Sequence, residues 1–205
     1  MDLFEAMYSQ RAMRRLKTDP VPDELIWKVL DAAIRAPSGG NRQPWNFIVI
    51  KDQATKKQIA EWYLDSWNQS YGPVRQAAMA SPAAAKTFAS ADYLANHLAD
   101  VPVLIIATVN HAGVAPVSPP GASTYPAVQN LMLAARALGL GTTLTTLHRA
   151  HEDKVKALLG IPEGHETMCL IPLGWPKGKF GPAARMPVDA VTYWDRWGAT
   201  QKRPG

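Results

Sequence analysis

Cysteine is almost absent from this chain: Cys169 is the only one among 205 residues. No intrachain disulfide can form, which fits a reducing compartment. The residue lies in the apolar run Met168-Cys169-Leu170-Ile171 and reads as a buried strand thiol rather than a nucleophile. Long apolar runs are missing as well. The longest extends roughly from Val101 to Val109, well short of the about 20 residues that a membrane-spanning helix needs. The opening Met1-Asp2-Leu3-Phe4-Glu5 carries acids where a signal peptide carries base, so a cytoplasmic location is expected, without a membrane partner. No strand pattern is followed by G-x-G-x-x-G. Gly139-Leu140-Gly141 lacks the third glycine and follows a helical pattern, which disfavours a dinucleotide-binding Rossmann domain.

Metal and acid–base chemistry are also poorly provided for. His148 and His151 stand three apart, but no carboxylate or thiol pattern joins them into a zinc site. His97 and His165 read as ordinary surface or satisfied histidines, and Glu61 with Asp65 as the solvated face of a helix. The formal charge of +5 raises nucleic-acid binding as a possibility. The basic residues are nevertheless scattered, apart from Arg11-Arg14-Arg15-Lys17 and Lys51-Lys56-Lys57. The second group follows a strand pattern and reads as a solvated turn and helix start. A modest positive field also attracts the phosphates of a nucleotide, and no nucleic-acid partner is expected.

What is present is an α/β pattern along one domain. Leu3, Phe4 and Met7 mark a first helix that precedes the arginine cluster. Pro22-Asp23-Glu24 opens a second, with Leu25, Ile26, Val29, Leu30 and Ala33 on its apolar face. Phe47 to Ile50 is a continuous apolar run, as for a strand covered on both sides. A helix is expected over about Thr55 to Trp67, then an alanine-rich stretch interrupted by Pro73 and Pro82, then a helix around Ala91 to Leu98. Val103 to Ala107 is a strand, and His111 to Gly121 a Pro/Gly-rich loop. Helix signals resume at Ser123, with Gly139 placed for the C-terminus. Thr142 to Thr146 is β-prone, Glu152 to Leu159 a short helix closed by Gly160, and Thr167 to Leu173 a further strand.

Ala36-Pro37-Ser38-Gly39-Gly40-Asn41-Arg42-Gln43-Pro44 joins the second helix to the first strand. It is small, polar and turn-forming, so it can serve as an ordinary connection or bring backbone close to a flat polar ligand. Read with Arg11-Ala12-Met13-Arg14-Arg15 upstream, Tyr125 to Leu131, Ala137 to Gly141, Leu158 to Pro162 and Arg185-Met186-Pro187 downstream, the chain resembles the nitroreductase family of flavin-dependent oxidoreductases.

That resemblance implies an α+β fold. It is a three-layer α/β/α arrangement with a mostly antiparallel central sheet, assembled as an intertwined homodimer. It also implies FMN as cofactor, NAD(P)H as hydride donor, and a ping-pong reaction with a planar acceptor of the nitroaromatic or quinone type. The flavin N5 carries the hydride, so no catalytic side chain is expected; the protein supplies position and electrostatics. Reductive dehalogenation, flavin breakdown, or flavin binding without turnover are alternatives within the same fold.

The site residues follow from the same resemblance. Arg11 is assigned to the phosphate, which guanidinium groups grip bidentately, and Arg14 to the pyrimidine edge of the ring, where a cation stabilises the reduced state. Ala12 and Met13 lie between them. The spacing of Arg11 and Arg14 lets them share one side of a helix end; a solvated basic helix end accounts for them equally. The usual family pattern, Arg-Arg-Ser-x-Arg, is Gln10-Arg11-Ala12-Met13-Arg14 here, so one arginine and one hydroxyl are gone. Arg185 matches a late phosphate-binding arginine, with Ala183 where a second base often stands. Pro37, Ser38, Gly39, Asn41 and Gln43 match a loop that crosses the dimer interface. Leu144, Thr145 and Thr146 match the stretch that lines the ring. Trp62, Tyr63, Trp67, Tyr71, Phe88 and Tyr93 lie in a variable lid region of about 60–98, where they form an acceptor-binding wall or simply pack. Residues from about 186 to 205 form an extension expected to pack on the partner subunit.

Overall fold

The apolar run that was too short for a membrane becomes the centre of the sheet. In the computed structural model, which describes residues 1–111 and 121–203, strand β2 spans Val103–Asn110 and is buried from Val103 to Val109. It lies between β1 (Trp45–Ile50) and β4 (His165–Gly174), both antiparallel to it. The short β3 (Gly141–Thr142) pairs with the end of β4. The order β1-β2-β4-β3 is antiparallel throughout the described residues. The expected mostly antiparallel sheet is therefore the one observed. Most of the Pro/Gly-rich segment read as a loop, residues 112–120, lies outside the described residues.

Strand alternation divides the core into two clusters, one on each face of the sheet. Val103, Ile105, Ala107, Cys169 and Ile171 point to α2 (Asp23–Ala33) and α6 (Thr124–Ala137). Leu104, Ile106 and Leu170 point to α3 (Gln53–Tyr71), α5 (Pro82–His97) and α7 (Glu152–Leu159), with the single-turn α4 (Arg75–Ala78) between α3 and α5 in the chain. Helices on both faces give the three layers. β1 is an edge strand, so Phe47, Ile48 and Val49 are only half-buried despite their continuous apolar run.

Local chemistry sets the helix starts. Asp2 caps α1 (Leu3–Ser9) through the Glu5 N–H, and Asp52 caps α3 through the Thr55 N–H. Two expectations need correction here. Pro82 does not interrupt a helix but begins one: it sits in the first turn of α5 behind the Ser81 cap, where its missing N–H costs nothing. Lys56 is not a solvated cation but buried, donating from Nζ to the Val101 carbonyl at 2.8 Å, and burial pushes its pKa down. The expected helix Glu152 to Leu159 is observed as α7, closed by Gly160 at a φ of 63°.

Candidate active site

The arginine cluster is not on a helix. α1 ends at Ser9, and the chain from Arg11 onward runs extended beside the sheet. Ala12 bridges Thr142 in parallel, the Met13 N–H donates to the Thr142 carbonyl at 2.8 Å, and Leu16 bridges Pro176. Two anchors, Met13 and Leu16, are buried, which turns Arg11 and Arg15 outward. Gly141 makes this approach possible. A Cβ there would stand 2.9 Å from both Met13 Cβ and Leu16 Cδ2.

Arg11 through Arg15 form one wall of a hollow of about 420 Å³. Lys86, Ala89 and Ser90, on one face of α5, and Gly178 with Lys179 complete its lining. Five cations thus line one concavity, and no acid among the described residues lines it. None of Arg11, Arg14, Arg15, Lys86 and Lys179 makes an ion pair among the described residues. Arg15 is held in place by Tyr93, whose ring lies 4.2 Å from the guanidinium carbon. Lys177 donates to the Tyr93 hydroxyl at 2.9 Å.

The stretch Leu144 to Thr146 reaches this region through Tyr63, which feels the charge of Arg14. Thr145 pairs with Leu170 through two backbone bonds, in the register already set by Gly141 and Thr142. That register places Thr143 opposite Pro172, which has no N–H to give, so the ladder breaks there. Leu144 and Thr146 are exposed, and Thr145 is half-buried with its hydroxyl 2.9 Å from that of Tyr63. Burial raises the Tyr63 phenol pKa; the bond to Thr145 and the positive charge of Arg14 oppose this. Arg14, Tyr63 and Thr145 are therefore neighbours, and Arg11, Ala12, Met13, Arg14 and Leu144 to Thr146 converge at one end of the sheet.

The loop after α2 is elsewhere. Pro37, Gly39, Asn41 and Gln43 are exposed, and Ser38 accepts the Gln43 N–H at 3.0 Å. Asn41 and Gln43 hold φ values of 55° and 50°, a region that ordinary side chains rarely occupy. Pro44 is fixed to the other end of the sheet by the Asn110 N–H at 2.7 Å. Asn110 faces His165 and Thr142 faces Leu173, eight positions along β4 (173 − 165). At about 3.3 Å per residue, the loop and the arginine segment are roughly 26 Å apart along the strands. The strand order adds three spacings, roughly 14 Å, so the two lie at diagonally opposite corners.

The aromatics divide. Tyr63 and Trp67 are buried core residues; Trp67 stacks on Tyr71 at 4.5 Å, meets Phe88 at 5.3 Å and donates to Asp92. Trp62 is half-buried, 6.5 Å from the His151 ring. Two of the six reach the hollow through its arginines: Tyr93, packed under Arg15, and Tyr63, near Arg14. Arg185 is exposed, bonds only to the neighbouring Ala184 carbonyl and does not line the hollow. Lys86 and Lys179 were missed by sequence reasoning, since an isolated lysine carries no local signal. Cys169 is buried, its thiol pushed up to about 12 by desolvation.

The residues present fit a phosphate monoester beside a flat ring. Unpaired guanidinium groups suit the phosphate, and around Gly178 nothing stands within 4 Å of a notional Cβ, leaving room for backbone to approach a ligand. The apolar groups left exposed suit a partner surface. These include Phe4 and Tyr8 on α1, Trp27 on α2, and Trp194 and Trp197 in the tail, the last 88% exposed. No helix among the described residues is long and apolar enough to cross a membrane.

Comparison with known proteins agrees with the fold. A model of the nitroreductase family matches residues 7–175. An NADH dehydrogenase of Thermus thermophilus is 28% identical over 95% of this chain and 96% of its own length. An iodotyrosine deiodinase of Nematostella vectensis is 27% identical over 85% of this chain and 67% of its own. Among solved structures, a nitroreductase with bound FMN from Desulfitobacterium hafniense has a TM-score of 0.73 at 22% identity. It covers 95% of this chain and is itself covered completely, at 100%.

Proposed function

The chain belongs to the nitroreductase family, and from that premise we propose that it is an FMN-dependent oxidoreductase. Its donor is NAD(P)H, and its acceptor is a planar nitroaromatic or quinone. The observation that carries this reading is the hollow between Arg11–Arg15, α5 and Lys179, in which the cations have no counter-ion of their own. The names of relatives support it: NADH dehydrogenase for one, bound FMN for another.

FMN, when bound, supplies the redox chemistry, taking up hydride and giving electrons to the acceptor. The chain's part is to hold and orient it. Arg11 grips the phosphate, with Lys179 in the role that Arg185 was expected to fill. Arg14 places a positive charge at the pyrimidine edge, where it favours the reduced state. Leu144, Thr145 and Thr146 line the ring, and the buried Tyr63 hydroxyl fixes Thr145. Asn41 and its loop complete the site from a second copy of the chain. This assignment rests on the diagonal separation of the two elements, which is greater than the length of one FMN. The exposed tail from about residue 186 embraces that second copy.

The test is the visible spectrum of the purified protein, with mass analysis of what heat releases. A flavin spectrum, released FMN, and NADPH oxidation dependent on a nitroaromatic or quinone support the reading. A colourless protein that takes up no added FMN ends it. Similarity to the deiodinase favours a second reading, reductive dehalogenation of an iodinated aromatic. Iodide release from 3-iodo-L-tyrosine, without turnover of nitroaromatics or quinones, would select it.

A further inference from the structure

The charge in the hollow exceeds what one cofactor neutralises. A phosphate monoester brings about −1.5 to −2 charges at neutral pH, against five unpaired cations. Like charges gathered in a concavity without acids repel, and the surplus of about three is relieved by a further anion. The cations also divide by element. Arg11, Arg14 and Arg15 follow one another on the extended segment and Lys179 comes after β4, whereas Lys86 is on α5, with Ser90 one turn further along the same face and the small Ala89 beside them. Ser90 has no hydrogen-bond partner among the described residues, so its hydroxyl is free to donate.

We propose that Lys86 and Ser90 form a second anion subsite. It recognises a negatively charged group on the molecule that meets the flavin, rather than the flavin's own phosphate. The chemistry is an ammonium and a hydroxyl on one helix face, suited to a carboxylate or a phosphate. The anion has two possible sources: the carboxylate of an aromatic acceptor, or a phosphate of the nicotinamide donor. The inference rests on the oxidoreductase reading for what occupies the hollow, but not for its test.

Isothermal titration calorimetry with 4-nitrobenzoate, its uncharged methyl ester and NADP⁺ provides that test. Wild-type protein saturated with FMN is compared with Lys86→Gln and Ser90→Ala, and FMN affinity is measured separately on each. Lys86→Gln should weaken 4-nitrobenzoate or NADP⁺ by about three- to tenfold, as loss of a partly exposed charge-assisted bond does. The ester and FMN should be unaffected, and Ser90→Ala should show a smaller loss in the same direction. Loss confined to 4-nitrobenzoate assigns the site to the acceptor, and loss confined to NADP⁺ assigns it to the donor. Equal binding of all three ligands by wild type and Lys86→Gln overturns the proposal. So does a matching loss of FMN affinity, which would place Lys86 on the cofactor phosphate. If the protein takes up no FMN, the oxidoreductase reading fails, and the same titrations on the flavin-free protein still decide whether Lys86 binds anions.

Discussion

The backbone N–H of Met13 donates to the Thr142 carbonyl at 2.8 Å, and this bond carries the arginine segment onto the edge of the sheet. Met13 and Leu16 plug inward while Arg11 faces out. The positions of the cations are thus set by strand pairing and by the space that Gly141 leaves, not by a helix end. A rigid edge is a better platform for a phosphate than a fraying helix terminus.

Gly141→Ala should therefore damage both stability and cofactor binding. Its new methyl group would meet Met13 Cβ and Leu16 Cδ2 at 2.9 Å. Leu16 can swing its methyl away, but Met13 Cβ is fixed by the backbone bond to Thr142. We expect a cost of about 1–3 kcal/mol, typical of overpacking, read as a lower midpoint in urea. FMN affinity should fall with it. An unchanged midpoint would mean that the segment is not held against β3.

Arg11 and Arg14 should separate cleanly. Arg11 is exposed and has no partner among the described residues. Arg11→Ala should weaken FMN by about tenfold or more, as loss of a charge-assisted phosphate contact does, and leave the melting temperature of the flavin-free protein unchanged. Arg14→Ala should instead lower the reduction potential of bound FMN by removing positive charge beside the reduced ring. An unaltered potential removes Arg14 from that role.

The sequence reading succeeds where local pattern and tertiary demand coincide. β2 is a run of apolar residues because both faces are covered, and α7 has acids at its start and a left-handed glycine at its end. It fails where the partner is distant in sequence. Nothing near Arg11 reports the Thr142 carbonyl, so a helix end was the natural expectation. For Tyr63 and Trp67 the local sequence left wall and core open, and only the folding back of α5 decides it, burying Trp67 beside Phe88. Lys86 and Lys179 are single lysines, and only the fold brings them into one hollow with the arginines.

His148 makes the fold acid-sensitive. It is fully buried, neither ring nitrogen has a hydrogen-bond partner among the described residues, and burial lowers its pKa from 6.5 to about 4. Glu152 opposes that shift and Arg149 adds to it. Between pH 6.5 and 4 the unfolded chain binds a proton that the folded chain does not, so stability falls as pH falls through this window. The loss amounts to about 3 kcal/mol at 1.36 kcal/mol per unit. His148→Phe, which fills the space without a titrating group, should flatten that part of the pH profile in chemical denaturation. A profile with the same slope would assign the acid sensitivity to another group.

If each flavin site takes its arginines from one chain and its loop from another, two defective variants should complement each other when mixed. Arg11→Ala removes the phosphate contact. Asn41→Gly removes the loop side chain while tolerating the φ of 55°. Each homodimer has two damaged sites and should bind FMN weakly. A mixed dimer, formed by co-expression and separated by different affinity tags, has one doubly damaged site and one intact site. The mixed dimer should regain wild-type FMN affinity with one flavin per dimer. No recovery in the mixed dimer would mean that both residues serve the same chain's flavin.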